Sequence, residues 1–262
     1  MGNFITSIKV NHIFHLENFC IPISENEKKH LIITGKNGSG KTILLNAIVE
    51  HLSKVCNDKT LSFLDYEKHL ESCRTRLQQY KVVGDSQKII SNQDSIELYK
   101  TWIEEVYGKV ELSFHDIYSI PKDFLSQDFI IAYYADERKS LFVEPKNPVK
   151  PDLKMKTDLK HNKVDQFLNF MVDCKVQEAL ARNEGKTEDA DYIRQWFVGF
   201  RNILRQIFDD TTLELDFNYK DYSFLIQTRG KSFKFTELSA GYSAALDIVA
   251  DLILKMQSQN NV

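Results

Sequence analysis

An α/β fold arranged around a phosphate-binding loop is predicted by three features of this 262-residue sequence. A short β-branched run, "HLIITG" (His30–Gly35), leads into the glycine-rich "GKNGSGKT" (Gly35–Thr42), and a helix-patterned segment follows it. Strand-like and helix-like periods then alternate along the chain. A second helix mouth, "LSAGY" (Leu238–Tyr242), comes late, after three short strand-like runs. Hydrophobic residues make up 42% and charged residues 27%, enough for a packed core. The formal net charge of −3 means that any nucleic-acid contact must come from a local patch rather than from overall charge.

Taken in order, residues 4–23 are rich in Ile, Phe and Val with short polar breaks and predict two antiparallel strands. His30–Gly35 is expected as a buried strand, and Lys41–Val55, apolar on most sides, as a buried helix. Charged, helix-patterned segments at 61–81 and 94–107 are expected to cover one flank. Lys109–Phe114 and Phe129–Tyr134 are the next expected strands. Between Arg138 and Lys163, eight Lys or Arg face three acids (Glu144, Asp152, Asp158), with three prolines, which predicts a loop. Helices are expected at Asp165–Ala181 and Asp189–Phe208. Leu213–Phe217, Tyr222–Thr228 and Lys231–Phe235 read as a meander, its second turn at Arg229–Gly230.

The four cysteines (Cys20, Cys56, Cys73, Cys174) are scattered without a C-x-x-C pair, as expected of reduced thiols in a cytoplasmic protein. No segment is apolar for long enough to predict a membrane span.

"GKNGSGKT" satisfies G-x-x-x-x-G-K-[ST] between a predicted strand and a predicted helix, which predicts a P-loop NTPase. Gly35, Gly38 and Gly40 let the backbone curl, so that the N–H groups of Lys36, Asn37, Gly38, Ser39 and their neighbours point inward at phosphate oxygens. The amino end of the following helix adds partial positive charge. Lys41 is expected between the β- and γ-phosphates, and the Thr42 hydroxyl on Mg²⁺.

Three NTPase classes compete for this loop. A GTPase needs a base-reading N-K-x-D; "NKVD" (Asn162–Asp165) is present but opens a predicted helix instead of ending a strand, and no D-x-x-G occurs. A RecA-like or AAA+ ATPase needs an apolar strand ending in acids, and "IIAYYADE" offers Asp136 and Glu137. The third class accounts for the C-terminal segment. There, Ser239 and Gly241 open a helix whose apolar positions are Tyr242, Ala245, Leu246, Val249, Leu252, Ile253 and Met256, so that its N-terminus offers an anion site.

"ELSAGYSAALDIVADLIL" resembles the signature motif and helix of ABC-type ATPases in the form seen in RecF, SMC and OLD-like proteins. More narrowly it is similar to bacterial AAA-family, ABC-type ATPases tied to phage defence or genome maintenance. The likeness runs from the N-terminal strands through the phosphate loop to this helix, with Ala240 and Tyr242 departing from the usual L-S-G-G-Q/E. It implies a mixed sheet with N-terminal antiparallel strands and a helical lobe carrying the signature. Residues 1–60 would hold the strands and loop, 61–160 a helical insertion, central strands and the Lys/Pro-rich loop, and 161–262 the signature lobe. It further implies ATP and Mg²⁺ as ligands, and a head-to-tail homodimer in which Leu238, Ser239, Ala240, Gly241 and Tyr242 press on the partner's γ-phosphate. DNA or an effector protein would be the further partner.

The resemblance also places a Walker B acid after the signature helix, where only "QSQNNV" remains, so the chain is expected to be an ATP-binding domain incomplete at that point. A non-hydrolysing ATP switch is the remaining alternative. Arg138 would serve in γ-phosphate sensing, and adenine would lie near Asn11–His15, where His12, Phe14 or His15 could stack.

Overall fold

The structure, a computed structural model, describes residues 2–126, 128–134, 142–151 and 164–257. The fold is mixed α/β with two small antiparallel sheets, and the chain forms two compact units, Met1–Ile130 and Ile131–Val262.

In the first unit, β1 (Ile5–Ile13) and β2 (Leu16–Pro22) form a hairpin with Ile13 opposite Leu16 and Lys9 opposite Cys20. The two-residue connection places Phe14 at a positive φ of 56°, a conformation that side chains other than glycine adopt only under local constraint. β3 (Val110–Phe114) pairs antiparallel on the other side of β1, giving the order β2-β1-β3. Alternation decides which side chains are inside. Ile8 and Val10 of β1 and Val110 and Leu112 of β3 are buried, and their strand neighbours are more exposed.

Helix α1 (Lys41–Asn57) packs on this sheet and buries Leu44, Ala47, Ile48, Leu52 and Val55. Each full burial of such a large aliphatic side chain contributes about 1.5–3 kcal/mol. His51 is buried on the same face. Its Nδ1 donates to the Val106 carbonyl at 3.0 Å, and its Nε2 accepts the Leu112 N–H at 3.4 Å, so one neutral imidazole ties α1 both to the end of the helix that precedes β3 and to the middle of β3.

Helices α2 (Tyr66–Val83) and α3 (Ser86–Tyr107) form an antiparallel hairpin turned at Gly84, whose φ is 77°. The Asp85 side chain caps α3 by accepting the Lys88 N–H at 3.2 Å. The apolar seam of the hairpin is small, with Leu70, Cys73 and Ile96 at its centre. The Asn92 side chain donates to the Cys73 carbonyl there at 2.5 Å. The periodicity read from sequence finds α3 only from residue 94, because its first turns carry mostly exposed polar residues. A short helix, α4 (Ile120–Leu125), closes the unit with Ile120 and Phe124 buried.

Two expected strands do not form. His30–Gly35 has no strand pairing, Ile32 is 82% exposed and Leu31 is 41% exposed. Phe129–Tyr134 is likewise irregular. Both runs have the β-branched and aromatic composition of strands. A strand, however, is completed by a lateral neighbour, and among the described residues none pairs with either run.

In the second unit, α5 (Phe167–Asn183) and α6 (Thr187–Phe208) pack antiparallel. They lie with β4 (Glu214–Asn218), β5 (Ser223–Thr228), β6 (Lys231–Lys234) and α7 (Ala240–Gln257) around one phenylalanine-rich core. Phe167 and Phe200 meet edge-on at 5.4 Å between ring centres, and Phe142 meets Phe235 at 5.4 Å. Phe142 therefore anchors part of the stretch that composition alone marks as a loop. The meander has the order β4-β5-β6, and its second turn is Arg229–Gly230, both at positive φ. Asp210, just after α6, accepts from the Thr212 N–H at 2.9 Å, the Thr212 hydroxyl at 2.7 Å and the Thr228 hydroxyl. These bonds hold its carboxyl down at about 2, with the Thr228 hydroxyl the largest cause.

The buried face of α7 differs from the expected one. Ser243, Leu246, Asp247, Ala250, Asp251 and Leu254 are inside, whereas Tyr242, Leu252 and Met256 are exposed. The helix has apolar residues on all sides, so pattern alone cannot fix its orientation. What permits the polar face is pairing. Asp251, 1% exposed, accepts from Lys255 Nζ at 2.6 Å and from the Tyr134 hydroxyl at 2.9 Å.

Burial lowers the pKa of His51 below its ordinary 6.5, against smaller opposing contributions led by its bond to Val106. The unfolded chain therefore takes up a proton more readily than the folded one. This contribution to stability should be complete above about pH 6.5 and decline as the pH falls below it. Urea unfolding at pH 7.5 and 5.5 tests this, and in His51→Gln the drop between the two should shrink.

Candidate functional site

The loop Gly35–Thr42 is exposed over Gly35–Gly38 and becomes buried only at Gly40. Gly38 and Gly40 have φ of 81° and 88°, in the left-handed region. A turn bond from the Ser39 N–H to the Lys36 carbonyl, 3.2 Å, tightens the middle of the loop. A Cβ on Gly35 would come within 2.8 Å of Ser39 Oγ, so a side chain there would force the Ser39 hydroxyl to turn away. Lys41, in the first turn of α1, sends its ammonium back across the loop. It donates to the carbonyls of Gly35 at 2.9 Å and Lys36 at 2.8 Å, and lies 3.4 Å from Ser39 Oγ.

The start of α1 is free of competing negative charge. Its N-cap is Gly40, without a side-chain cap, and no acid occupies the first turn. The first N–H groups of a helix have no acceptor within the helix, so this end carries unopposed partial positive charge. Thr42, next to Lys41, is exposed. Together the ammonium, the exposed loop backbone, the helix end and a free hydroxyl form a donor set suited to phosphate oxygens and a hard cation. Among the described residues no cluster of His, Cys, Asp and Glu has metal-binding form.

Gly40 also fixes where the loop sits in its unit. A Cβ there would lie 3.1 Å from Leu16 Cδ1 and 3.6 Å from His15 Cε1, so the loop end packs against the β1–β2 hairpin. That hairpin presents Phe14, 71% exposed, edge-on to His15 with 5.1 Å between ring centres. A cavity of about 510 Å³ lies beside it, lined by His12, Phe14, Ile43, Asn46 and Glu50 among others. This volume falls in the range of small-ligand sites. Three residues of the stretch Asn11–His15, namely His12, Ile13 and Phe14, line the cavity. What sequence could not show is that Phe14, at the positive φ of its turn, stands largely outside the core.

The second motif is built differently. A 3-10 turn, Phe235–Glu237, precedes it, with Phe235 buried and the Glu237 carboxylate accepting the Lys234 N–H at 2.8 Å. Leu238 is half-buried, and Ser239, Ala240, Gly241 and Tyr242 are exposed. α7 then begins, its first bond running from the Ser243 N–H to the Ser239 carbonyl at 2.9 Å. A Cβ on Gly241 would meet nothing within 4 Å, so the approach to this helix end is open within its unit. The Tyr242 ring lies flat on Phe208, 4.2 Å between centres and 14° from parallel.

Arg138, Asp136 and Glu137 lie outside the described residues, as do Asn162 and Lys163 of "NKVD". The remainder of that tetrapeptide, Val164 and Asp165, belongs to a 3-10 turn that opens α5 and does not end a strand. All four cysteines are free, and burial pushes the Cys56 and Cys174 thiols up to about 12, which leaves neither a nucleophile at neutral pH. No helix of the described residues is long and apolar enough to cross a membrane. Comparison with protein-family models, curated proteins and solved structures found no match for the chain.

The two left-handed glycines differ in their surroundings, which separates conformation from packing. Gly38→Ala meets open space and should cost only the backbone term, about 1–2 kcal/mol. Gly40→Ala adds the close approach to Leu16 and should cost more. Urea unfolding of the two variants reads the difference, and equal losses would remove the hairpin contact from the account.

Proposed function

We propose that this chain binds ATP with Mg²⁺ at Gly35–Thr42 and, when loaded, pairs head-to-tail with a second copy through Leu238–Tyr242, as an ABC-type ATPase of the RecF, SMC and OLD-like kind. The observation that carries the reading is Lys41. Its ammonium is held in the mouth of an exposed loop by the carbonyls of Gly35 and Lys36 and by Ser39, and among the described residues no carboxylate neutralises it. A cation so placed is available to an incoming anion.

In this reading the loop N–H groups and the α1 terminus hold the β-phosphate, and Lys41 spans the β- and γ-phosphates. The Thr42 hydroxyl turns to Mg²⁺, which when bound neutralises charge on both phosphates. Phe14 offers a face on which the base stacks, and the adjoining cavity receives it. Ser239 and the first N–H groups of α7 would then meet the γ-phosphate held by the partner. The exposure of Ser239–Tyr242 supports this, since a motif sunk in the core of its own unit would be unreachable. Pairing driven in this way is the event that a DNA or effector partner would sense.

Lys41→Ala should weaken ATP binding about 10- to 100-fold, the scale of losing one or more charge-assisted bonds. Titration calorimetry reads this, and unchanged affinity would overturn the loop assignment. Ser239→Arg should leave the affinity of the monomer unchanged while abolishing ATP-dependent dimers in light scattering. Normal pairing by that variant would remove the second motif from the reading.

A further inference from the structure

We propose that Tyr242 is a positioning residue for the pairing surface: its ring, stacked on Phe208, holds the first turn of α7 so that Ser239 faces outward. The inference rests on the assignment of Leu238–Tyr242 as that surface. It departs from the polar contact that the usual Gln or Glu at this place would provide.

Three sets of contacts carry it. Tyr242 and Phe208 are almost parallel at 4.2 Å, the closest ring pair among the described residues, and Phe208 in turn packs on Phe233 of β6 at 5.9 Å. A ring held face-on in this way has its orientation fixed by the stack, not by a polar partner. The mount beneath is itself tied down. Phe208 is the last residue of α6 and only 5% exposed, Asp209 caps the helix in the left-handed conformation, and Asp210 is bonded to Thr212 and to Thr228 of β5. Finally, the residues on either side of the exposed motif are anchored in the core, Phe235 before it and Ser243 after it. Between those anchors Ser239, Ala240 and Gly241 have no large side chain of their own to pack. Tyr242 is the aromatic side chain of the motif, and its stack links the turn to α6 and β6.

The stack fixes the direction in which the helix opens, and the outer face of the ring remains toward solvent at 38% exposure. The side chain therefore acts on the partner's phosphate through Ser239 and the helix end. Phenylalanine should do this as well as tyrosine, whereas glutamine, although it is the family's usual residue here, should not.

The experiment uses the full chain and the variants Tyr242→Phe, Tyr242→Gln, Tyr242→Ala and Ser239→Arg, each first shown to unfold cooperatively. ATP affinity of the monomer, ATP-dependent dimerisation and amide hydrogen exchange over residues 243–246, whose N–H groups bond back to the first turn, are measured on each without nucleotide in the exchange. The expected result is pairing unchanged in Tyr242→Phe and weakened about tenfold in both Tyr242→Gln and Tyr242→Ala, with monomer affinity constant throughout. Exchange over the first turn should quicken several-fold in the Gln and Ala variants and stay at the parent rate in Phe. Tyr242→Ala that pairs and exchanges like the parent overturns the role of Tyr242 while the Ser239 assignment stands. Loss of pairing in Tyr242→Phe, with Gln paired normally, overturns it in favour of a direct polar contact. Normal pairing in Ser239→Arg, or no ATP-dependent pairing by the parent, overturns the surface itself and this role with it.

Discussion

A lysine ammonium drawn back across its own loop is the contact on which the form of that loop, and the function proposed for it, depend. Lys41 has no carboxylate partner among the contacts described for it; it is held by the carbonyls of Gly35 and Lys36. Such a bond stabilises the curled loop without neutralising the charge. Two left-handed glycines permit the curl, and the approach of Gly40 to Leu16 and His15 seats it against a hairpin. The same arrangement that makes the loop fold compactly brings a half-buried cation and an exposed hydroxyl together at a helix start. Gly40 is the more constrained of the two glycines, since a side chain there meets Leu16 as well as an unfavourable φ, whereas at Gly38 only the backbone conformation opposes one.

The second unit solves another problem, that of presenting a helix end outward while its body is buried. Aromatic mass does most of this. Phe167, Phe200, Phe224 and Phe235 are almost fully buried, and Phe208 supports the first turn of α7 from below. The body of α7 is oriented by polar groups. Asp251 lies fully inside with Lys255 and the Tyr134 hydroxyl on one oxygen, while its other oxygen has no partner among the described residues. A buried carboxylate adds little net stability, since desolvation offsets most of the Coulombic gain. It does select one orientation, because rotating the helix would carry the carboxylate away from the Tyr134 hydroxyl, while Lys255, one turn on in the same helix, would move with it. That is why a helix apolar on every side nevertheless has one buried face.

Much of the architecture is legible in local pattern. The hairpin β1–β2, strand β3, helices α1, α2, α5 and α6, and the meander with its Arg229–Gly230 turn all follow from periodicity and turn chemistry. The unpaired runs His30–Gly35 and Phe129–Tyr134 do not. Their residues are suited to a sheet, and composition cannot report whether another strand lies alongside. The start of α3 was hidden for the opposite reason: its first turns have no apolar stripe, and the Asp85 cap and Gly84 turn are the signals that mark it. Phe142 was hidden among lysines and prolines, where a single aromatic carries no period.

By itself the sequence determined the curl of the glycine-rich loop Gly35–Thr42, the placement of Lys41 and Thr42 at a helix start, and the existence of a late helix behind Ser239. These follow from short-range constraints, namely glycine's access to positive φ, the spacing of a helical turn and the N–H groups left free at a helix end. Only the tertiary structure decided that Phe14 stands outward beside the loop, that α7 buries Asp247 and Asp251 in preference to Leu252 and Met256, and that Tyr242 lies flat on Phe208. Those outcomes depend on which distant side chains share a core, and residues 34 positions apart meet only once the chain has packed.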